Sequence, residues 1–556
     1  MNGRLCSLAF VGTLLTSACL SLPVARQGDP EALAKARRAV QENPYASGDV
    51  YANFGYQLMQ KEDWAGAIPV YQEAAKRGGS SPKFKAVCTY NLACAYARSG
   101  QKDKAMATLK EALRFGYRAL GDLRTDDDLV SLRGEPEWEE LAATKDVSKM
   151  SRDEAWRYNI WLLDREIRRL HYSPYTKRTP AETDNETKAL LDGVPRMDDD
   201  QIGVAILKYM AGFGDGHTNA RTPSLTSTVL PVNFYWYEEG IAVRAADSAH
   251  KHLLGQRLMS VNGKPVVDVA AMMAPYISRD NDMWIKLFVP FYLWHPHILH
   301  GMGLSASADS VRMTFRDAAG KDTTVDLKGT TRDQVGHLLA NNLPASFVNI
   351  SSLSSGPAPL SATHDGQRFW FEYLPDKKLL YCQINAILND QKETLAQFAA
   401  RLYAEFDSQH AEGLVFDVRN NGGGNNTLLL PLIQGMIARP ALTKRGHLFF
   451  ITGRLTFSAC QNFLSRSERQ LPITVVGEPS GSKPNFIGES VPVVLPYKGV
   501  TASVSDLFWE DGQSWDTRQW ITPHLVAPPT LAAAMANRDP AMEALLAYWK
   551  TVQAGG

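Results

Sequence analysis

Apolar and small residues recur at helical spacing through residues 30–145, and the same pattern occurs twice. The equivalent positions are Phe54-Gly55, Ala67, Tyr71 and Ala74 in the first unit and Leu92-Ala93, Ala105, Leu109 and Ala112 in the second. Small residues let two helices approach closely, and larger residues fill the seam between them. The pattern therefore predicts paired helices that repeat.

These units resemble tetratricopeptide repeats, with a partial third unit from Ala119 to Leu141. About three such repeats make a self-supporting stack. The resemblance implies a concave surface that docks a peptide or a protein partner. The alternative is a helical spacer that supports the rest of the chain.

Helical patterning continues from Ser151, a predicted helix start, to a glycine-rich turn that carries His217. The chain then becomes rich in β-strand patterns, with Asn262-Gly263 as a hairpin signal and Asp268 as the predicted N-cap of a short helix. This part resembles a PDZ-type module, which captures an extended chain end at an exposed sheet edge.

Strands alternate with helices after residue 368, which predicts an α/β layered domain. The fold class is therefore multidomain. The predicted divisions are a signal peptide at 1–26, helical repeats at 30–145, a helical segment at 151–225, a PDZ-like module at 228–330, a linker or lid at 331–367, an α/β catalytic core at 368–530 and a C-terminal helix at 531–556.

Ser458 is the candidate nucleophile, because it lies at a predicted strand-to-helix junction. A serine at a helix start exposes its hydroxyl, and the N–H of Ala459 would face the developing oxyanion. The run Gly422–Gly424 supplies further backbone donors, of which Gly423 and Gly424 are the candidates. An N-cap role for Ser458 is the alternative. A phosphate loop is excluded, since no Gly-Lys-Ser/Thr follows the glycines.

Lys483 is one candidate base. A lysine base must be neutral near pH 7, which requires burial to lower its pKa by about 3 units. Asp417 and Arg419 stand two apart on a predicted strand and share a face, so we expect them to support the glycine loop together with Asn421.

The set of motifs resembles the carboxyl-terminal-processing and tricorn-core family of serine peptidases. It comprises Asp417-x-Arg419-x-Asn421-x-Gly423-Gly424, Thr456-Phe457-Ser458-Ala459, Val476-Gly477-Glu478-Pro479, Gly214-Asp215-Gly216-His217-Thr218, Gly488-Glu489 and Asp516-Thr517-Arg518 with Ile521-Thr522-Pro523. The resemblance covers roughly 151–530. It implies a crotonase-like catalytic fold, Ser458 as nucleophile, and an oxyanion hole formed by Ala459 and the glycine loop.

The resemblance leaves two bases open. Lys483 falls on the base of the processing branch, but Ile487 replaces the glutamine that those enzymes carry four residues later. His217 falls on the base of the tricorn branch and has a suitable intrinsic pKa. There, Gly216 replaces a serine, and Asp516 is only a nearby carboxylate where a glutamate is expected.

Composition excludes some functions. With 59 basic and 59 acidic residues, the chain offers no electrostatic case for binding nucleic acid or an anionic membrane. No stretch is long and apolar enough to predict a transmembrane span. No cofactor is implied. A metal site at His295, His297 and His300 is not predicted, since Pro296 disturbs the ligand spacing and no carboxylate is adjacent.

The first residues have the pattern of an export signal, with Arg4 before the apolar run Leu5–Leu15. Cys19 is a possible lipid acceptor, and cleavage near Ala25 is the alternative. We therefore expect a periplasmic or extracellular protein. Beyond the signal, Cys88 and Cys94 could pair if their geometry allowed it.

These observations predict an exported serine endopeptidase that cleaves extended or unfolded polypeptide through an acyl-enzyme on Ser458. A catalytically silent scaffold of the same fold, which binds a peptide or another ligand, is the rival. Hydrolysis of a non-peptide ester or amide by the same serine is a third possibility.

Overall fold

The computed structural model describes residues 29–331, 343–364 and 366–555. The predicted signal peptide at 1–26, including Cys19, lies outside the described residues, as does part of the predicted linker or lid. The chain divides into two compact units between His171 and Tyr172. No helix in the described ranges has the length and apolar character needed to cross a membrane.

The first unit is helical. Its helices are α1 (Pro30–Gln41), α2 (Gly48–Gln60), α3 (Trp64–Arg77), α4 (Phe84–Arg98), α5 (Lys102–Arg114), α6 (Leu120–Thr125), α7 (Trp138–Leu141) and α8 (Arg152–Leu170). Consecutive helices from α1 to α5 pack on one another. The matched residues are buried, except Phe54 and Leu92, which are half-buried. A Cβ on Gly55 would lie 3.0 Å from the Tyr71 ring, so a larger residue fits here only if the ring shifts. The assignment as tetratricopeptide repeats stays a prediction.

Cys88 and Cys94 cannot form the disulfide that the sequence left open. Both lie on α4, and both are free thiols. Six residues of helix separate their Cα atoms by about 9 Å, beyond the span of a disulfide. The helix therefore excludes a disulfide between Cys88 and Cys94.

The second unit contains the remaining elements. Its helices are α9 (Pro180–Gly193), α10 (Asp199–Ala211), α11 (Val266–Met273), α12 (Met283–Leu293), α13 (Pro296–Gly301), α14 (Leu395–Ser408), α15 (Leu430–Ile437), α16 (Ala459–Gln470), α17 (Leu531–Met535) and α18 (Pro540–Gly555). Its strands are β1 (Asn219–Arg221), β2 (Thr228–Val229), β3 (Val232–Tyr237), β4 (Gly240–Ala246), β5 (Arg257–Val261), β6 (Lys264–Pro265), β7 (Ser310–Arg316), β8 (Asp322–Lys328), β9 (Thr330–Thr331), β10 (Val348–Asn349), β11 (Phe369–Leu374), β12 (Leu379–Ile384), β13 (Gly413–Asp417), β14 (Leu448–Thr452), β15 (Thr474–Gly477), β16 (Asn485–Val494), β17 (Thr501–Glu510) and β18 (Leu525–Val526).

The α/β part is built on a sheet of order β11-β12-β13-β14-β15-β18, in which β12 to β18 run parallel. Alternate residues of its strands enter opposite cores, as the two-residue period of a strand requires. Phe416 faces the core shared with α14, α15 and α16, whereas Val415 faces the core shared with α18. Because β13, β14 and β15 are parallel neighbours, their carboxyl ends meet at one edge of the sheet. Ligands bind at this edge in open α/β folds.

A separate antiparallel sheet has the order β10-β4-β5-β7-β8, with β3 paired to β4. Helices α12 and α13 lie between α11 and β7 in the chain. The expectation that Asp268 caps the short helix is wrong. The cap position is Pro265 and the helix begins at Val266, so Asp268 lies in the first turn, where a carboxylate is favourable to the helix dipole.

Candidate active site

Ser458 lies in a strained turn between β14 and α16. Its backbone angles, a φ of 53° and a ψ of −127°, belong to a region that residues other than glycine rarely adopt. It occupies the N-cap position of α16, but its side chain makes no capping hydrogen bond. The hydroxyl is therefore not used to stabilise the helix.

Thr456 fixes the turn before Ser458. Its hydroxyl donates to the Val418 carbonyl over 3.0 Å and accepts the Gly453 N–H over 3.0 Å. The Gly481 N–H donates to the Thr456 carbonyl. Because these contacts join the ends of β13, β14 and β15, they set the position of the serine relative to the whole sheet edge.

His217 meets Ser458 directly, with 2.9 Å between the ring Nε2 and the serine Oγ. The ring lies between the Phe457 ring, at 4.3 Å, and the Phe486 ring, at 5.6 Å between centroids. Burial lowers the pKa of His217 to about 4, although Asp215 and the Ile487 backbone act in the opposite direction. The imidazole is neutral at neutral pH and able to accept the serine proton.

The other ring nitrogen of His217, Nδ1, is buried and makes no hydrogen bond of ordinary geometry within the described residues. An imidazole that accepts a proton at Nε2 carries its hydrogen at Nδ1. No carboxylate side chain among the described residues holds this hydrogen, which distinguishes the site from a Ser-His-Asp triad.

The turn that carries His217 is held by the buried carboxylate of Asp215. Its Oδ1 accepts the N–H of His217 over 3.0 Å and that of Thr218 over 2.6 Å. It also accepts the Ser505 hydroxyl over 2.6 Å. Asp215 is thus a backbone clamp for the histidine, with Ser505 of β17 as its support.

The glycine loop follows β13 and lies against Ser458. A Cβ on Gly423, whose φ is +110°, would come within 2.5 Å of the Ser458 Cβ and 2.9 Å of the Ala459 nitrogen. The Asn421 side chain donates to the Ile384 carbonyl and accepts the Gly423 N–H, each over 2.9 Å. The loop is therefore anchored to the end of β12 and packed against the serine.

These contacts change which backbone donors are free to bind an oxyanion. The Gly423 N–H is already bonded to Asn421, so its contribution here is close packing. Ala459 begins α16, and first-turn N–H groups have no acceptor within the helix. The Gly424 N–H makes no hydrogen bond in the described part of the chain. Ala459 and Gly424 are thus the available pair.

Asp417 and Arg419 form an ion pair behind this loop. The Arg419 Nε donates to Asp417 over 2.9 Å, and the Tyr381 hydroxyl donates to Asp417 over 2.6 Å. Arg419 also donates to Asp539 over 2.9 Å. The Asp539 carboxylate accepts the Met542 N–H in the first turn of α18. This chain of contacts links the glycine loop to the C-terminal helix and engages both carboxylates.

Two further predicted residues are not bonded to Ser458. Lys483 makes no hydrogen bond or ion pair with any described residue. Asp516 pairs with the exposed Arg518 over 2.6 Å. Asp516 has no hydrogen bond to Ser458, His217 or Lys483 among the described residues, so its predicted support of the site is not found.

The structural roles of three acidic residues were not identified from the sequence. Asp215 lies within a quoted motif, but its role as a clamp depends on Ser505, 290 residues away. Asp280 lies in none of the motifs that the sequence singles out. Asp200 accepts hydrogen bonds from both His297 and His300, which no adjacent carboxylate in the sequence had indicated.

Comparisons with known proteins bear on the fold. No protein-family model matches the chain. A chloroplastic protein of Arabidopsis thaliana is 33% identical over 84 residues, which is 14% of this chain and 25% of that protein. This chain thus spans about a quarter of the length of that relative.

Among solved structures, mature CPAF complexed with lactacystin aligns with a TM-score of 0.53 and 14% identity, over 72% of this chain and 98% of that one. The aligned part of the chain has the fold of mature CPAF. The photosystem II D1 C-terminal processing protease also matches, with a TM-score of 0.31 and 15% identity over 71% of this chain and 97% of that one. The predicted resemblance is confirmed for the fold, and this rests on the alignment with mature CPAF.

Proposed function

We propose that this protein is an exported serine endopeptidase in which Ser458 is the nucleophile and His217 the general base. One observation carries the proposal. The neutral imidazole lies 2.9 Å from the hydroxyl of a serine held at a strained backbone angle. Nucleophile and base within hydrogen-bond reach are the geometric signature of covalent acyl transfer.

In this mechanism His217 takes the proton from Ser458 as the serine oxygen attacks the peptide carbonyl. The carbonyl oxygen becomes an oxyanion, which the N–H groups of Ala459 and Gly424 would stabilise. The imidazolium then returns the proton to the leaving amine, and an acyl-enzyme on Ser458 remains. Water activated by the same histidine releases the second product.

Extended polypeptide is the substrate class that we propose, from the family motifs and the shared fold. The helical repeats are proposed to recruit a protein partner, and the β-rich module to present the chain end. Export rests on the leader pattern, and Cys19 is its proposed lipid anchor. Each of these finer proposals is separable from the chemistry at Ser458.

The test is cleavage of an unfolded protein such as casein between pH 4 and pH 10. Ser458→Ala and His217→Ala should each lose on the order of 10³-fold or more in kcat/KM. Lys483→Met, which keeps the side-chain volume, should stay within roughly tenfold of the wild type. Labelling of Ser458 by a fluorophosphonate gives a second readout that needs no peptide.

The pH profile separates the two bases. A histidine base keeps activity level through neutral and alkaline pH, with a fall only in acid. A lysine base must first lose its proton, so activity would rise in the alkaline range. Loss of activity in Lys483→Met equal to that in His217→Ala would overturn the assignment of the base. A wild type that neither cleaves nor labels would favour the silent scaffold.

A further inference from the structure

The segment before α12 enters the active site from the β-rich module. Asp280 is buried, and its Oδ1 accepts the Gly216 N–H over 2.9 Å. Its Oδ2 accepts the hydroxyl of Ser482. Gly216 precedes His217, and Ser482 precedes Lys483. One carboxylate therefore ties the loop of the proposed base to the loop that follows β15.

Neighbouring residues of the same segment are also fixed. The Asn281 side chain donates to the Ser480 carbonyl over 3.1 Å and to the Gln519 carbonyl over 2.8 Å. The Trp284 ring packs 4.2 Å from the ring of Phe457, which precedes the nucleophile. These contacts leave Asp280 little freedom to move away from the Gly216 N–H.

The far end of α12 is tied to the β-rich module. Leu230 and Trp294 exchange hydrogen bonds of 2.9 Å, one through the backbone and one through the indole N–H. Arg454, which follows β14, donates to the carbonyl of Lys286 in α12 and to that of Trp236 in β3. The position of Asp280 is therefore set from both the sheet edge and the β-rich module.

We propose that Asp280 is a positioning residue that holds the His217 turn within reach of Ser458. The proposal rests on the proposed function and deepens it. Gly216 packs closely against Phe457, which precedes the nucleophile, since a Cβ there would come within 2.8 Å of that ring. The hydrogen bond from its N–H to Asp280 restrains the same turn. A misplacement of about 1 Å between reacting groups is enough to cost roughly 100-fold in rate.

Titration of the Asp280 carboxylate should be visible in the pH dependence of kcat/KM. Burial raises the pKa of Asp280 to about 6; the Asp215 carboxylate adds to the rise, while Ser482, Gly216 and Lys483 oppose it. As pH falls through about 6, Asp280 gains a proton and one of its acceptor oxygens becomes a donor. His217 on the adjoining turn stays neutral down to about 4. The acid limb of kcat/KM therefore lies near 6 in the wild type.

The test compares Asp280→Asn and Asp280→Ala with Asp282→Asn, an exposed carboxylate two residues along that pairs with Arg279. We expect kcat to fall about tenfold in Asp280→Asn and about 100-fold in Asp280→Ala, with KM within about twofold of the wild type. The acid limb of Asp280→Asn should move toward about pH 4, where His217 titrates. Asp282→Asn should match the wild type in all three quantities.

An unchanged kcat in Asp280→Asn, or an acid limb that stays near pH 6, would overturn the proposal. A crystal structure of Asp280→Asn or Asp280→Ala gives a readout that is independent of turnover. We expect the distance between His217 Nε2 and Ser458 Oγ to exceed about 3.5 Å in the alanine variant, beyond a hydrogen bond. If that distance is unchanged, Asp280 does not position the histidine, whether or not the wild type is a peptidase.

Discussion

The glycine loop and the His217 turn flank the same serine, but they are held in different ways. Asn421 fixes the glycine loop by bonding to Gly423, two residues away, and to the end of the neighbouring β12. The His217 turn is held by Ser505 and Asp280, which lie far along the chain and belong to other elements. The glycine loop, here called the local wall, is thus held mainly within its own turn and by the adjacent strand. The His217 turn, here called the assembled wall, is held by residues that the tertiary fold brings from other elements.

This difference has a mechanical consequence. A change in the glycine loop acts by direct steric contact with the nucleophile. A change in the supports of the His217 turn acts at a distance, through the orientation of the base. Substitutions in the glycine loop and in the supports of the His217 turn should therefore lower activity for different reasons. Variants of each test whether the distinction holds.

The largest effect is expected from Gly423→Ala. The added Cβ would come within 2.5 Å of the Ser458 Cβ, and the φ of +110° is unfavourable for alanine. Displacement of the serine and of the Ala459 N–H should lower kcat on the order of 10²-fold or more. Steady-state kinetics on an unfolded substrate measure this loss, and the labelling rate of Ser458 should fall with it.

Gly320→Ala is the matched control, because Gly320 also has a positive φ, of +87°, but has open space around its Cβ position. It lies in the turn between β7 and β8, so its alanine variant carries the same kind of backbone strain without a contact to the serine. A loss of activity in Gly320→Ala as large as that in Gly423→Ala would show that strain alone, and not contact with Ser458, explains the result.

A smaller effect is expected from Ser505→Ala, which removes a support of the other wall. The Asp215 carboxylate would lose the hydroxyl donor that lies at 2.6 Å but keep its bonds to the N–H groups of His217 and Thr218. A buried hydrogen bond to a charged group contributes about 2 kcal/mol, so the unfolding midpoint in urea should fall. We expect kcat to fall roughly tenfold, because the turn is loosened but not displaced.

Ser503→Ala provides the comparison on the same strand. Ser503 lies two residues before Ser505 on β17, between Asn219 of β1 and Pro492 of β16. Its loss should leave kcat within about twofold of the wild type. If Ser503→Ala and Ser505→Ala reduce kcat equally, the effect comes from β17 as a whole, and the bond to Asp215 has no special part.

The same difference explains what the sequence could predict. The apolar runs Val232–Tyr237, Leu379–Ile384 and Leu448–Thr452 predict strands with the bounds that the structure gives, because apolar runs between turn residues define strands locally. The proximity of the glycine loop to Ser458 could likewise be anticipated, since both follow neighbouring parallel strands.

The supports of His217 could not be anticipated in that way. Asp280 is 64 residues from Gly216, and no local pattern marks an acidic residue that will accept a distant backbone N–H. The choice between Lys483 and His217 as the base also depended on the tertiary fold. Both residues are half-buried and lie in loops, so their local surroundings do not show which one contacts Ser458. Asp268 was misplaced for a local reason. A carboxylate in the first helical turn and one at the N-cap give similar sequence signals.

The smallest effect is expected from Asp516→Asn, which tests whether any third carboxylate serves the site. Its oxygens accept from the Arg518 guanidinium, which also pairs with Glu468, and this pairing holds the pKa of Asp516 below its usual range. An exposed ion pair contributes at most about 1 kcal/mol, so the urea midpoint should hardly change. Since no described contact joins Asp516 to His217, kcat and the pH profile should stay within about twofold of the wild type.

A large fall in kcat would mean that the carboxylate reaches the Nδ1 side of His217 during turnover. The local wall and the assembled wall would then be joined by a third element that moves, and the distinction between them would no longer describe the working enzyme.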